Sequence, residues 1–245
     1  MKNQQICPRL RLEFRYFGES KPKGVMPRLQ EEAQGEVEIP FQDFHLNGEL
    51  TVPPNARGVV LFAHGSGSSR HSPRNQFVAR TIRDQGIGTL LFDLLTEDEE
   101  QEERFTAHLR FDINLLAERL LGATLWYHLK DPERFIGYFG SSTGGGAALV
   151  ADAGAEVPIH AIVSRGGRPD LAGPALLKVR APTLLVVGGE DPVVIQKNQD
   201  ALSKMKCPNE LRIIPGASHL FEEPGTLEQV AQMAAEWFDV HFKEA

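Results

Sequence analysis

From Gly58 onward the sequence alternates short apolar runs with longer amphipathic segments. The apolar runs lack polar alternation, which is typical of strands buried on both faces of a parallel sheet. The amphipathic segments have the length and periodicity of helices. This alternation predicts right-handed βαβ crossovers and a doubly wound, mostly parallel sheet. The predicted strands are 59–63, 89–92, 135–139, 159–164, 183–187 and 211–214, and the predicted helices are 75–85, 111–130, 143–153, 195–205 and 226–242.

The segment before this alternation has the pattern of a β-hairpin. Period-two patterns at 37–39 and 44–52 flank a short turn-prone stretch, so we expect two antiparallel strands that feed the sheet. A chain of 245 residues is ordinary for one α/β domain. We therefore expect the domain to occupy residues 36–245, with residues 1–35 as an extension that is either an edge strand or flexible.

An acidic run, TEDEEQEE at 96–103, follows the second predicted strand of the parallel sheet. Blocks of like charge repel one another and stay in water, which predicts a solvated loop or the start of a helix. The alternative is a cap over a site at this edge of the sheet.

Composition and charge exclude several classes of partner. The net charge of −7, without a cluster of Lys and Arg among aromatic residues, argues against nucleic-acid binding. No apolar run approaches the roughly 20 residues that span a bilayer, and the N-terminal residues lack the apolar core of a signal peptide. The two cysteines, Cys7 and Cys207, are too few for a disulfide framework. We expect a cytoplasmic protein without a membrane partner, whose oligomeric state the sequence does not fix.

The strongest local motif is Gly140-Ser141-Ser142-Thr143-Gly144, which lies between a predicted strand and an Ala-rich predicted helix. A G-x-S-x-G sequence in this context is typical of a nucleophile elbow, where a serine hydroxyl is presented at the carboxyl edge of the sheet. The alternative is a simple turn or a phosphate cradle, but the lysine of a Walker loop is absent. The motif therefore favours Ser142 as a nucleophile.

A serine nucleophile needs a histidine base that a carboxylate orients. Asp191 and His219 each follow the carboxyl end of a predicted strand, in the chain order Ser, Asp, His of α/β hydrolases. Taken singly, Asp191 is equally interpretable as a helix cap and His219 as a structural histidine. Their conjunction with Ser142 predicts a catalytic triad, and Glu190 is the alternative acid if Asp191 points away.

An oxyanion formed at a carbonyl needs preorganised backbone donors. We expect one donor to be the amide of Thr143, directly after the nucleophile. The second is expected from the loop after the first buried strand, His64-Gly65-Ser66, where the amide of Ser66 is the candidate. The alternative is that this loop is only a turn.

Four segments together resemble the dienelactone-hydrolase-like branch of the α/β hydrolases: LFAHGSGSSRHS (61–72), GYFGSSTGGGA (137–147), VSRGGRP (163–169) and VGGEDP (187–192). They are similar to the hydrolase half of bacterial proteins that fuse a phosphoribosyltransferase to such a domain. The resemblance, over about residues 36–242, implies an α/β-hydrolase fold without a large cap and hydrolysis of an ester-type bond. True dienelactone hydrolases use a cysteine nucleophile where this chain has Ser142, so lactone specificity and the chemistry of the fusion partner are not expected to carry over.

Two arginines of the SRGGRP segment follow a predicted strand on the same face as the triad. Arg165 or Arg168 is a candidate to bind a substrate carboxylate or phosphate. The alternative is that one of them braces a loop by pairing with an acid such as Asp170.

The sequence as a whole predicts a serine esterase acting on a small-molecule ester. No cofactor is expected, and no metal, because the histidines lack ligand spacing. The alternatives are an acyltransferase or thioesterase on the same triad, and a non-catalytic binding module that keeps the fold.

Overall fold

The strands of the computed structural model join into one sheet. The structure describes residues 33–106 and 108–243. The strands are β1 (Ala33–Pro40), β2 (His45–Val52), β3 (Gly58–Ala63), β4 (Gly88–Phe92), β5 (Phe135–Ser141), β6 (Ala161–Arg165), β7 (Thr183–Gly188) and β8 (Asn209–Ile214). They lie in the order β1-β2-β4-β3-β5-β6-β7-β8.

The predicted antiparallel hairpin is present at one edge of this sheet. β1 pairs with β2 from Ala33 opposite Val52 to Pro40 opposite His45, and β2 then pairs antiparallel with β4. All pairings from β4 to β8 are parallel. The mostly parallel, doubly wound sheet expected from the apolar runs is thereby confirmed.

Helices cover both faces of the sheet. They are α1 (Pro73–Asp84), α2 (Glu97–Thr106), α3 (Ile113–Lys130), α4 (Thr143–Gly154), α5 (Pro192–Leu202) and α6 (Thr226–His241). The helices α1 and α6 contact each other over one face, where they bury one apolar cluster against the sheet. On the opposite face, α3 and α4 pack side by side over a second cluster. The strands between these two layers are almost wholly buried, which explains why their sequences lack polar alternation.

Helix capping accounts for the largest difference in helix boundaries. We expected the fourth predicted helix at 195–205, but α5 begins at Pro192 and ends at Leu202. The Asp191 carboxylate accepts a hydrogen bond from the Val194 amide, and proline fits the first helical position because it has no amide hydrogen to satisfy.

The acidic run forms the helix start that we predicted, but one of its residues is buried. Glu97, Asp98 and Glu102 of α2 are exposed, whereas Glu103 is almost fully buried. The Glu103 carboxylate accepts hydrogen bonds from the Leu109 and Arg110 amides and from Arg110 Nε, at 2.8 to 3.1 Å. The prediction of a solvated run is therefore wrong at this position, because Arg110 supplies a partner that the run itself does not contain.

The expected extension lies mostly outside the described residues. Residues 1–32, including Cys7, are not described, so the expected boundary at residue 36 stays a prediction, although β1 already begins at Ala33. Cys207 is a buried free thiol. Within the ranges that the structure does describe, no helix combines the length and apolar character needed to cross a bilayer.

Phe238 connects α6 to the strand that leads to the candidate nucleophile. Its ring is fully buried and lies 2.7 Å from where a Cβ on Gly137 of β5 would stand. Removing such a ring leaves a cavity that the rigid strand cannot fill, so Phe238→Ala should lower the free energy of unfolding by about 3–5 kcal/mol. Urea denaturation measures the change. The control is Val240→Ala, at a site 46% exposed on the same helix, whose free energy of unfolding should stay within about 0.5 kcal/mol of the wild type. An equal loss in both variants would contradict the packing of Phe238 against β5.

Glu103 predicts a pH-dependent contribution to stability. Burial alone would raise the pKa of Glu103, but the hydrogen bonds from Arg110 and Leu109 lower it from 4.5 to about 2. A depressed folded-state pKa stabilises the fold fully above the unfolded value, and this contribution disappears as pH falls from about 4.5 towards 2. The difference in unfolding free energy between wild type and Glu103→Gln should therefore be largest at pH 6 and shrink on acidification. The exposed neighbour substituted as Glu102→Gln should show no such dependence in the same denaturant titrations.

Candidate active site

The three predicted triad residues all lie at the carboxyl edge of the sheet. Ser142 directly follows β5, Asp191 follows β7 and His219 follows β8. Because these strands are parallel, their carboxyl ends meet at one edge, where open α/β sheets bind ligands.

Ser142 occupies a strained turn between β5 and α4. Its φ of 51° and ψ of −119° lie in a region that residues with a side chain rarely adopt. The backbone around it is held on both sides: its amide donates to the Arg165 carbonyl at 3.2 Å, and its carbonyl accepts from the Arg168 amide at 3.0 Å. Such strain persists only where the surroundings over-determine the conformation, and it is concentrated at functional sites.

The turn is possible because α4 starts unusually close to β3. A Cβ built on Gly144 would stand 2.0 Å from the carbonyl oxygen of Ala63. No side chain fits in that space, so the last glycine of the motif is required by packing rather than by its torsion angles.

His219 and Asp191 form the contact that a catalytic pair requires. His219 Nδ1 lies 2.7 Å from Asp191 Oδ2, and the other carboxylate oxygen caps α5 through the Val194 amide. A carboxylate at Nδ1 favours the tautomer that carries its proton there, which leaves Nε2 free to accept one. Glu190, the alternative acid, has an exposed side chain, while its amide binds the Ala217 carbonyl.

The segment that follows β6 connects the serine turn to the histidine loop. Its Arg165 carbonyl binds the Ser142 amide, as described above, and Gly166 lies against the imidazole. Gly166 has a φ of +52°, and a Cβ there would approach His219 Cε1 to 3.4 Å. Within the histidine loop, the Glu223 carboxylate accepts a hydrogen bond from the Ser218 amide at 2.9 Å, and this bond lowers the pKa of Glu223. Glu223 was not predictable from the sequence, because its contact depends on the path of the loop.

The loop after β3 contacts the serine turn. The Ser66 amide donates to the Thr143 hydroxyl at 3.0 Å, and a Cβ on Gly65 would lie 3.0 Å from Ser142 Cβ. Buried His64 braces this loop: Nδ1 bonds the Gly65 carbonyl and Nε2 accepts the Leu94 amide, each at 3.0 Å. Burial lowers the pKa of His64, and Nε2 accepts a hydrogen bond, so the ring is neutral and holds the two loops together. The His-Gly pair was a usable signal for the loop, but not for this bracing role.

The two candidate arginines differ sharply. Arg168 donates from Nε and Nη2 to both oxygens of Asp170, each at 2.8 Å, which is the bracing alternative considered from the sequence. The hydrogen bonds from Arg168 and Lys197 lower the pKa of Asp170 to about 2. Arg165 is buried at the end of β6 and makes no such pair in the described part of the chain.

A large groove opens beside the loop after β3. It has a volume of about 1260 Å³ and lies between residues 66–69, the turn before β2 and the first turns of α2. Among residues 33–106 and 108–243, no group of three or more His, Cys, Asp or Glu side chains is arranged as a metal site.

The sheet order and the positions of the site residues define an α/β hydrolase. Residues 46–241 match the model of the dienelactone hydrolase family, and the chain belongs to that family. A solved dienelactone hydrolase from Anabaena variabilis is 54% identical, with a TM-score of 0.83 over 86% of this chain and 98% of that one. Est1E from Butyrivibrio proteoclasticus, 18% identical with a TM-score of 0.71 over 86% of this chain and all of that one, shares the fold.

The curated relatives are longer than this chain. Two Mycobacterium tuberculosis proteins named "Putative phosphoribosyl transferase" are 53% identical over 217 residues, or 88% of this chain. The match covers 47% of each of those proteins, so the chain spans about half of their length. This agrees with the resemblance to one half of a fusion protein.

Gly144 offers a test of the elbow's packing. Gly144→Ala forces its methyl group into the Ala63 carbonyl, so α4 must move away from β3 at a cost of about 1–3 kcal/mol or more. Thermal or urea unfolding measures this loss. At the far end of α4, a Cβ on Gly154 meets nothing closer than 3.9 Å, so Gly154→Ala should be neutral or stabilising. Equal stability of the two variants would refute the close approach.

Proposed function

We propose that this hydrolase is a serine esterase that cleaves a carboxylic ester-type bond in a small molecule through Ser142, His219 and Asp191. The observation that carries the proposal is the 2.7 Å contact between His219 and Asp191 at the sheet edge where Ser142 sits on its strained turn. A buried strand, a tight turn and a histidine oriented by a carboxylate are the parts that an activated serine requires.

In the proposed first step, His219 Nε2 removes the proton of the Ser142 hydroxyl as Ser142 Oγ attacks the ester carbonyl. Asp191 stabilises the imidazolium that forms, without itself taking the proton. Collapse of the tetrahedral intermediate breaks the ester C–O bond. His219 returns the proton to the leaving alcohol, and the acyl group remains on Ser142.

The amides of Thr143 and Ser66 are the proposed donors to the oxyanion. The Ser66 amide donates a hydrogen bond to the Thr143 hydroxyl, so the substrate oxygen must take the place of that hydroxyl. The Thr143 side chain thus satisfies a donor that would otherwise be empty between turnovers. A preorganised donor of this kind contributes about 3–4 kcal/mol to transition-state stabilisation.

In the second step, water attacks the acyl-enzyme while His219 takes one of its protons. The acid leaves, and the proton returns to Ser142. The proposal does not include lactone specificity, because serine stands at the nucleophile position. It does not include phosphoribosyl transfer either, because the match covers only 47% of each Mycobacterium protein.

Labelling with a fluorophosphonate and turnover of p-nitrophenyl acetate test the proposal together. Wild type should be labelled and should hydrolyse the ester, whereas Ser142→Ala should lose labelling and at least about 10⁴-fold in kcat. The matched control is Ser141→Ala, because it removes the adjacent serine hydroxyl, which is buried in β5. This variant should still be labelled.

An unlabelled, inactive wild type would favour the non-catalytic binding module. Labelling with faster acyl transfer to an added thiol or alcohol than to water would instead favour an acyltransferase on the same residues.

A further inference from the structure

Arg165 is a buried cation that forms no ion pair with any residue the structure describes. Its side chain is 8% exposed, and its Nη1 atom is buried without a hydrogen bond among the described residues. Burial, together with the charge of Arg74, lowers the pKa of Arg165 to about 10, so the guanidinium is still charged at neutral pH. A buried charge without a counterion is strongly unfavourable, and such a group is retained where a ligand or a mechanism uses it.

The direction of the Arg165 side chain follows from the pleat of β6. The preceding residue, Ser164, packs against Gly145 and Gly167 on the α4 side of the sheet. Successive side chains of a strand point to opposite faces, so Arg165 points to the face that α1 and α6 cover.

A second guanidinium, that of Arg74, lies on this face at the start of α1. Arg74 is close enough to repel the charge of Arg165, and its Nε is also buried without a hydrogen-bond partner in the described part of the chain. Its ion pair is with Glu222 at 3.2 Å, whose side chain is 63% exposed. Two like charges therefore lie near each other, and the acid paired with one of them is mostly exposed to water.

Both arginines flank the proposed catalytic residues. The Arg165 carbonyl binds the Ser142 amide, and Gly166, the next residue, lies against His219. Glu222, the partner of Arg74, follows His219 in the same loop. An anion held between the two guanidiniums would thus lie beside the reacting centre.

We propose that Arg165 and Arg74 form an anion subsite for the phosphate group of a phosphorylated ester substrate. Two guanidiniums supply two positive charges and donors in a fork geometry that matches tetrahedral or planar oxyanions. A phosphate monoester, whose second pKa is about 6, is a dianion at pH 8: one charge offsets Arg165, and the other replaces the exposed Glu222 carboxylate at Arg74. A sulfate ester or a carboxylate carries one negative charge, which offsets Arg165 alone and leaves Arg74 paired with Glu222. That the bound molecule is a substrate rests on the function proposed above. The subsite itself is a binding site that can be tested without turnover.

Direct binding to the ligand-free protein tests the subsite. Calorimetric titration at pH 8 and constant ionic strength compares phenyl phosphate with phenyl sulfate, which has the same shape and one charge fewer, and with benzoate. Phenyl phosphate should bind at least about tenfold more tightly than either. Arg165→Met and Arg74→Gln should each weaken phenyl phosphate binding by at least about 30-fold. Arg80→Gln removes the same charge from an exposed position on α1 and should leave binding unchanged.

Thermal unfolding distinguishes a binding role from a structural one. Because its charge has no counterion, replacing Arg165 by methionine should raise the Tm of the ligand-free protein and abolish the further rise caused by phenyl phosphate. A lower Tm with unchanged phosphate binding would overturn the proposal and make Arg165 a structural residue. Equal affinity for phenyl phosphate, phenyl sulfate and benzoate would also overturn it. If Arg165→Met does not fold, undiminished binding of phenyl phosphate by Arg74→Gln would overturn the proposal. A protein that binds phenyl phosphate through these arginines but hydrolyses no ester would retain the subsite and refute only the proposed esterase.

Discussion

The strained turn at Ser142 is the constraint on which the rest of this edge of the protein depends. A residue with a side chain holds a φ of 51° there because neighbouring segments fix its amide and its carbonyl by hydrogen bonds. The start of α4 must also lie against the end of β3, at a distance that only a glycine at 144 permits. The parallel sheet supplies this arrangement, since it brings the ends of β3, β5 and β6 together.

The surrounding loops are braced by groups that do not react in the proposed mechanism. Neutral His64 ties the loop after β3 to the loop after β4, and Glu223 shapes the loop that carries His219. The segment after β6 binds the serine turn through its backbone and leaves its two arginines for different tasks. Arg168 is paired with Asp170, while no acidic side chain in residues 33–106 and 108–243 pairs with Arg165.

Much of this architecture was predictable because it depends on periodicity and chain order. Continuous apolar runs identified the buried strands, and the position of Ser142, Asp191 and His219 after particular strands identified the candidate site before any contact was known. Side-chain pairing was not predictable in the same way. Glu103 is buried because Arg110, several residues away, turns back to meet it. The difference between Arg165 and Arg168, within one short motif, arises because Arg165 is still in β6 and buried, whereas Arg168 lies after the strand, next to Asp170.

Asp191 performs two tasks with one carboxylate. One oxygen contacts the imidazole of His219, and the other caps the N-terminus of α5 by accepting a hydrogen bond from the Val194 amide. Few substitutions at this residue would keep both contacts: one that still caps the helix would lose the contact with His219, and an acid placed elsewhere would leave the helix uncapped. Moving the acid to another strand would therefore require two changes at once, a new partner for His219 and a new cap for α5.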